Sequence, residues 1–309
     1  MKILFFGTPH LAAEILKKLI ASEHEVIAVV TQPDKAAGRG GNVKMPPAKE
    51  VALEAGINVL QPEKISDEEV LDSIEAIGAD LHVVAAYAQK LPNRLLDMAP
   101  LGCINVHPSL LPKYRGAAPL RAAILAGESV SGVTIMKMAE KMDAGDILMQ
   151  REMPLDPDET NQSIEEKAIA LGGELLLETI GKIADGTVNP VPQDESLSTY
   201  VKQIKKEDGL IDFSEDAAVI ERKIRAYDPW PGTFTYLDGK VFKILKAEVL
   251  EGGEEAEPGT VGDVTKDGFT IMTGAGVLRP LMVQIEGKKK MPTAEFLKGK
   301  KLDRGMKLG

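Results

Sequence analysis

One cysteine, Cys103, stands in 309 residues. No disulfide can form within the chain, which fits a reducing, cytoplasmic setting. No apolar run approaches the roughly 18 residues that span a bilayer, so no membrane partner is expected. The opening "MKILFFGTPHLAAEILKK" is a strand-like run that breaks at Gly7, without the cleavage pattern of a secretory leader. Positive charge is in deficit: 37 Lys+Arg face 47 Asp+Glu, a net charge of -10. That is a poor global match for a nucleic acid, and such a partner would have to meet a local basic patch. The dinucleotide fingerprint is missing too. Gly7-Thr8-Pro9-His10 follows the first apolar run, but Pro9 and Ala12 occupy positions where that loop needs glycine. A plain βα turn is expected there, which disfavours a dinucleotide-dependent dehydrogenase. No His/Cys/Asp cluster has metal-ligand spacing, so no metal is expected.

The apolar share, 44%, is enough for a sizeable core, and the length suits two domains. Strand and helix signals alternate through residues 1–188. "KILFFG", "EVIAVVT", "INVLQ", "ADLHVVAAYA" and "GCINVHP" read as strands. "HLAAEILKKLIAS", "EEVLDSIEAIG" and residues 159–184 read as helices, the last weakened by Gly172-Gly173. This order predicts an α/β, Rossmann-like parallel sheet with helices on both faces. The pattern breaks across "DGTVNPVPQDESLSTYV", with Gly186, two Pro and two Ser, and residues 189–206 read as a linker. From 207 to 309 short alternating segments follow one helix, "DAAVIERKIRAYD". Asp238-Gly239 marks a hairpin, and the spacing predicts a smaller C-terminal β-barrel of OB-like type. The last 23 residues carry eight basic and two acidic side chains, a local positive surface on an acidic protein.

The chemistry-bearing stretch is "CINVHPSLLPKYRGAAP", residues 103–119. Residues two apart on a strand share a face, so Asn105 and His107 aim into one crevice. Ligands bind beyond the carboxyl ends of parallel strands, which is where this pair falls. An amide can stabilise an oxyanion, and an imidazole can exchange a proton near neutral pH. Together they suit attack on a carbonyl. The best source of an orienting carboxylate is "AEKMDAGDIL", which holds Asp143 and Asp146 in a Gly-containing turn, Asp143 preceding Ala-Gly where the chain can bend sharply. His10, His24 and His82 lack such company and read as structural or surface residues. Cys103 reads as a small buried apolar group.

These words, "INVHPSLLPKYRGAAP" and then "MDAGDI", resemble the formyltransferase family that uses 10-formyltetrahydrofolate. The resemblance runs nearly end to end. It includes "LFFGTP", the loop "VVTQPDKAAGRGGNVKMPPAK" and "KEDGLIDFSEDAAVIERKIRAYDPWPGTFTY". The Gly38-Arg39-Gly40 loop and the C-terminal region point to the branch acting on methionyl-tRNA. The resemblance implies Asn105, His107 and Asp143 as the catalytic trio. It also implies Ser109, Leu110, Leu111 and Pro112 as the folate wall, 10-formyltetrahydrofolate as formyl donor and initiator methionyl-tRNA as acceptor. Arg39, Lys35 and Lys44 in the long loop, with Lys288, Lys289 and Lys290 in the tail, are the expected tRNA contacts, on a monomeric enzyme. The family usually has glycine in the turn where this chain reads "AAYAQKLP", with Ala88. A formyltransferase acting on a nucleotide amino sugar and a formyl-folate hydrolase would share the trio. A noncatalytic RNA-binding barrel would not need it.

Overall fold

The computed structural model describes residues 1–37, 42–252 and 256–309. The chain runs through β1 (Lys2–Gly7), α1 (His10–Ile20), β2 (Glu25–Val30), β3 (Lys35–Ala37), β4 (Asn42–Lys44), α2 (Pro47–Glu54), β5 (Asn58–Leu60) and α3 (Glu68–Glu75). It continues through β6 (Leu81–Ala85), α4 (Asn93–Leu96), β7 (Cys103–His107), β8 (Arg115–Gly116), α5 (Pro119–Ala126), β9 (Val130–Lys137), β10 (Ile147–Pro154), α6 (Asn161–Ala184) and β11 (Tyr200–Val201). Last come α7 (Ala217–Tyr227), β12 (Thr233–Leu237), β13 (Lys240–Leu250), β14 (Val261–Val264), β15 (Phe269–Met272), β16 (Val277–Ile285), β17 (Met291–Pro292) and α8 (Thr293–Gly299).

The first compact unit comprises Met1–Pro119, Val130–Pro154 and Glu165–Val201. Its sheet is ordered β10-β9-β7-β6-β1-β2-β5. The last five of these are mutually parallel, as the strand–helix alternation predicts. Their near-continuous apolar runs follow from burial on both faces: every residue of β6 and β7 is buried. The antiparallel edge β9–β10 departs from the all-parallel expectation. Only residues 138–146 join those two strands, and a parallel return needs a crossover of about a dozen residues or more. Helix α6 runs unbroken through Gly172-Gly173. A Cβ on Gly172 would stand 3.2 Å from Val106 and 3.4 Å from Ile15. Close packing therefore outweighs the roughly 1 kcal/mol propensity cost of a mid-helix glycine.

Residues 189–201, read from composition as linker, carry regular pairing within this unit. Tyr200 and Val201 form β11, in parallel register with Arg115 and Gly116 of β8. A short 3-10 turn, Glu195–Leu197, precedes it.

The second unit comprises Leu120–Ser129, Leu155–Ile164 and Lys202–Gly309. The outlying pieces are tied to α7: Arg222 Nε donates to the Leu125 carbonyl at 3.0 Å, and an Arg225 guanidinium nitrogen donates to the Glu159 carbonyl. The expected barrel region is a six-stranded antiparallel sheet. Its ladder runs β12-β13-β16-β15-β14, with β17 on β16. Among the described residues no ladder joins β12 to β14. Phe242, Phe269 and Phe296 lie in its core with Ile220 and Ile224 of α7. Asp238-Gly239 makes the β12–β13 turn with φ of +51° and +73°, the two left-handed positions that an Asp-Gly hairpin supplies.

Candidate active site

Strand β7 ends the parallel run at His107. Asn105 pairs in register with Val84 on one side and Met136 on the other, and His107 lies opposite Thr134. Both side chains are buried, Asn105 to 9% exposure and His107 to 4%. Cys103, two residues before Asn105, packs on the same side with Phe6, Tyr87, Leu91 and Met138. Burial pushes its thiol pKa well up, so Cys103 is a space-filling group and not a nucleophile at neutral pH. Val106, pointing the other way, faces α6 at Gly172.

The connection between β9 and β10 brings a carboxylate to this pair. Asp143 Oδ2 lies 3.8 Å from His107 Nδ1 and accepts a hydrogen bond from the Gly116 amide at 2.8 Å. Asp143 has φ of +50°, a left-handed conformation that costs a non-glycine residue about 1–2 kcal/mol. Gly145 keeps the turn tight: a Cβ there would stand 1.8 Å from the Lys137 carbonyl oxygen, so only glycine fits. His107 Nε2 is 3.0 Å from the Tyr114 carbonyl. A carbonyl only accepts, so Nε2 carries a hydrogen and Nδ1 is the nitrogen that gains or loses a proton on the Asp143 side. No hydrogen bond from the Asn105 side chain to the protein occurs among the described residues, and its amide atoms are not among the enclosed polar atoms that lack a partner. An amide that is mostly enclosed yet open on one side and unclaimed by the protein, on the same strand face as His107, is free to donate to a ligand.

Segment Ser109–Pro112 is held from beneath. Ser109 is fully buried and its hydroxyl donates to the Lys113 carbonyl at 2.8 Å. Thr134 donates to the Ser109 carbonyl at 2.7 Å, and the Leu111 amide donates to Thr134 at 3.2 Å. Gln150 reaches the Leu111 carbonyl at 2.9 Å. Leu111 is buried, whereas Leu110 and Pro112 keep part of their surface outside. The turn 86–88 after β6 is also strained: Ala86 and Ala88 have φ of +47° and +69°. Glycine at position 88 would adopt this conformation without strain.

Of the residues read as tRNA contacts, Lys35 and Lys44 face each other across the β3–β4 pair, and both are exposed. Arg39, with Gly38 and Gly40, lies outside the described residues. Lys288, Lys289 and Lys290 are exposed in the second unit, between β16 and β17. The Gly7–His10 turn is filled by protein. A Cβ on Gly7 would stand 2.6 Å from Ala12, and Thr8 Oγ1 lies 3.3 Å from the Gln32 amide. His82 is structural, its Nδ1 donating to the Leu95 carbonyl at 3.2 Å and its ring edge-on to Phe6.

Sequence reasoning missed three participants. Arg115 has no exposed surface, and its guanidinium reaches Gln193, Glu195 and Tyr200. The Gln193 amide in turn donates to the carbonyls of Asp143 at 2.9 Å and Gly145 at 2.7 Å. Thr199 receives the Tyr114 amide on its hydroxyl and the Arg115 amide on its carbonyl, both at 2.8 Å. Arg115 sat in view inside "KYRGAAP". Gln193 and Thr199 lie in a segment whose composition says only linker.

Residues 1–180 match the formyl transferase family, and residues 203–301 match the formyl transferase C-terminal domain. The chain therefore belongs to the formyl transferase family, both parts of it. Its full-length relatives narrow this. A methionyl-tRNA formyltransferase of Lachnospira eligens is 46% identical over the whole of both chains, and one of Geotalea daltonii is 44% identical over 100% of this chain and 98% of that one. Among solved structures, HypX from Aquifex aeolicus in complex with tetrahydrofolic acid shares the fold at a TM-score of 0.65 and 23% identity, over 99% of this chain and 50% of that one. The sugar 3N-formyl transferase WlaRD does so at 0.66 and 20%, over 94% and 99%. No group of His, Cys, Asp and Glu suited to a metal ion occurs among the described residues, nor does a helix long and apolar enough to cross a membrane.

Proposed function

We propose that the chain transfers the formyl group of 10-formyltetrahydrofolate to the α-amino group of initiator methionyl-tRNA, in the cytoplasm and as a monomer. The observation that carries the reading is an Asn105 amide left free by the protein, on the strand face it shares with His107, with Asp143 Oδ2 3.8 Å from His107 Nδ1. The acceptor amine, in its neutral form, attacks the formyl carbon. A new C–N bond forms and the carbonyl oxygen takes negative charge. Asn105 donates to that oxyanion, and protonated His107 donates through Nδ1–H. One such donor in a site shielded from water is worth about 3–4 kcal/mol. Asp143 faces the imidazole on its Nδ1 side. The 3.8 Å gap between Oδ2 and Nδ1 is too long for a direct hydrogen bond but leaves both atoms able to touch one reacting group or one water. Through that water, a proton leaves the amine and another reaches the folate nitrogen as its bond to the formyl carbon breaks. Ser109, Leu110, Leu111 and Pro112 form the folate wall, with the partly exposed Leu110 and Pro112 supplying the apolar contact. Lys35, Arg39 and Lys44 bind the acceptor end of the tRNA, and Lys288, Lys289 and Lys290 bind phosphates.

Single-turnover formylation tests this. Formyl donor is supplied with methionyl-tRNA, with a nucleotide-linked amino sugar, and with neither, and tetrahydrofolate release is followed. Release only with methionyl-tRNA supports the reading. Release with the sugar alone would make the chain a sugar formyltransferase, and release with neither would make it a hydrolase. Asn105→Ala and His107→Ala should each lose roughly 100-fold or more in rate with folate affinity kept.

A further inference from the structure

The tripeptide Tyr114-Arg115-Gly116 holds both ends of the acid–base pair. The Tyr114 carbonyl fixes His107 Nε2, and the Gly116 amide fixes Asp143 Oδ2. Between them, the Arg115 side chain turns away into residues 193–200. Its Nε and Nη2 both donate to Gln193 Oε1, at 3.1 and 2.8 Å. Its Nη1 donates to Glu195 at 2.8 Å and to the Tyr200 hydroxyl at 2.9 Å. A guanidinium has no acceptor, so Gln193 must present its oxygen to Arg115 and its NH2 to the other side. That NH2 grips the two carbonyls of the strained turn, Asp143 and Gly145. One amide thus couples the backbone that carries the carboxylate to the arginine between the two backbone groups that hold His107 and Asp143.

We propose that Gln193, anchored by Arg115, is a positioning residue that sets the distance between His107 and Asp143. The inference rests on the assignment of those two residues to the reaction. Gln193 touches no reacting atom and acts through the Asp143 turn. Without its two donors, the left-handed Asp143 has less to hold it, and the carboxylate moves away from His107. A displacement of about 1 Å at a catalytic group can cost roughly 100-fold in rate.

Gln193→Glu is the informative substitution. It keeps an acceptor for Arg115, so the buried guanidinium stays neutralised, but it turns an oxygen toward the Asp143 and Gly145 carbonyls. Gln193→Asn is the uncharged second variant, one methylene too short to reach both sides. Single-turnover formylation of methionyl-tRNA is measured for each, alone and combined with Asp143→Asn, together with tetrahydrofolate affinity. Each Gln193 variant should lose roughly 10- to 100-fold in rate with folate affinity unchanged. Each should lose almost nothing more when Asp143→Asn is already present, because both changes act on one element. A merely structural role would lower tetrahydrofolate affinity along with the rate, and its loss would persist when Asp143→Asn is already present. A wild-type rate in either folded Gln193 variant overturns the proposal, and so does a loss that multiplies in full with that of Asp143→Asn. Near-normal turnover in Asp143→Asn alone would instead overturn the assignment of Asp143, and the positioning role with it.

Discussion

His82 should make this fold acid-sensitive well above the range in which carboxylates titrate. Its ring is 1% exposed and lies between Phe6 and the Leu95 carbonyl. Burial lowers its pKa to about 4, against about 6.5 in an unfolded chain. A lowered histidine pKa means that the unfolded state binds the proton first as pH falls. Stability is then complete above about 6.5, declines as pH drops below it and stops declining near 4. The gap of about 2.5 units corresponds to about 3 kcal/mol over the full window, and about 2 kcal/mol is lost between pH 7 and pH 5. For a unit of this size that is a fall of roughly 4–8 °C in melting temperature. The assay compares thermal unfolding at pH 7 and pH 5 for the wild type and for His82→Gln, which retains a donor for Leu95 and cannot titrate. Other ionisable groups contribute equally to both proteins and cancel in the difference. His82→Gln should start less stable at pH 7 and fall by several degrees less on acidification. Equal falls in the two proteins would refute the argument that His82 is buried neutral.

Particular contacts set three further outcomes. Ala88→Gly should stabilise the protein by up to about 1 kcal/mol in denaturant unfolding. Relief of a left-handed alanine, about 1–2 kcal/mol, exceeds the extra freedom glycine gains when unfolded, about 0.4–1 kcal/mol. Gly145→Ala should depress formylation far more than it depresses binding of tetrahydrofolate, because the new Cβ must push the Asp143 turn off the Lys137 carbonyl; equal activity would show that the turn can move freely. Replacing Lys288, Lys289 and Lys290 together with glutamine should reduce the slope of log affinity for tRNA against log salt by about 2–3, and an unchanged slope would remove these lysines from the interface.

Much of the fold was legible because the parallel strands are buried on both faces and write long apolar runs. Asp238-Gly239 likewise carries its turn in its own chemistry. The β9–β10 edge was hidden because strand direction depends on the length of a connection, and periodicity does not report length. Gly172 misled for a different reason. Propensity counts a helix alone, whereas here the missing Cβ is what lets Val106 and Ile15 approach. At the site, Asn105 and His107 were legible from two-residue spacing, and Asp143 from the Ala-Gly after it. Gln193 was not. Its partners are about 50 and 80 residues earlier, and nothing within its own stretch distinguishes a clamp from a spacer.

The pairing of β11 with β8 has a consequence for how the enzyme is made. Asn105, His107 and Asp143 leave the ribosome well before Gln193, Glu195 and Tyr200, and at roughly 5–20 residues per second the interval is several seconds. During that time the sheet can assemble while Arg115 waits without the groups that neutralise it. A buried cation lacking its partners costs about 3–5 kcal/mol, so the loop carrying His107's support is held open to solvent until the strap arrives. The nascent chain therefore passes through a stage with a sheet but no finished site. A fragment cut at residue 188, where composition suggests a boundary, would be frozen at that stage, and one ending after Val201 would not.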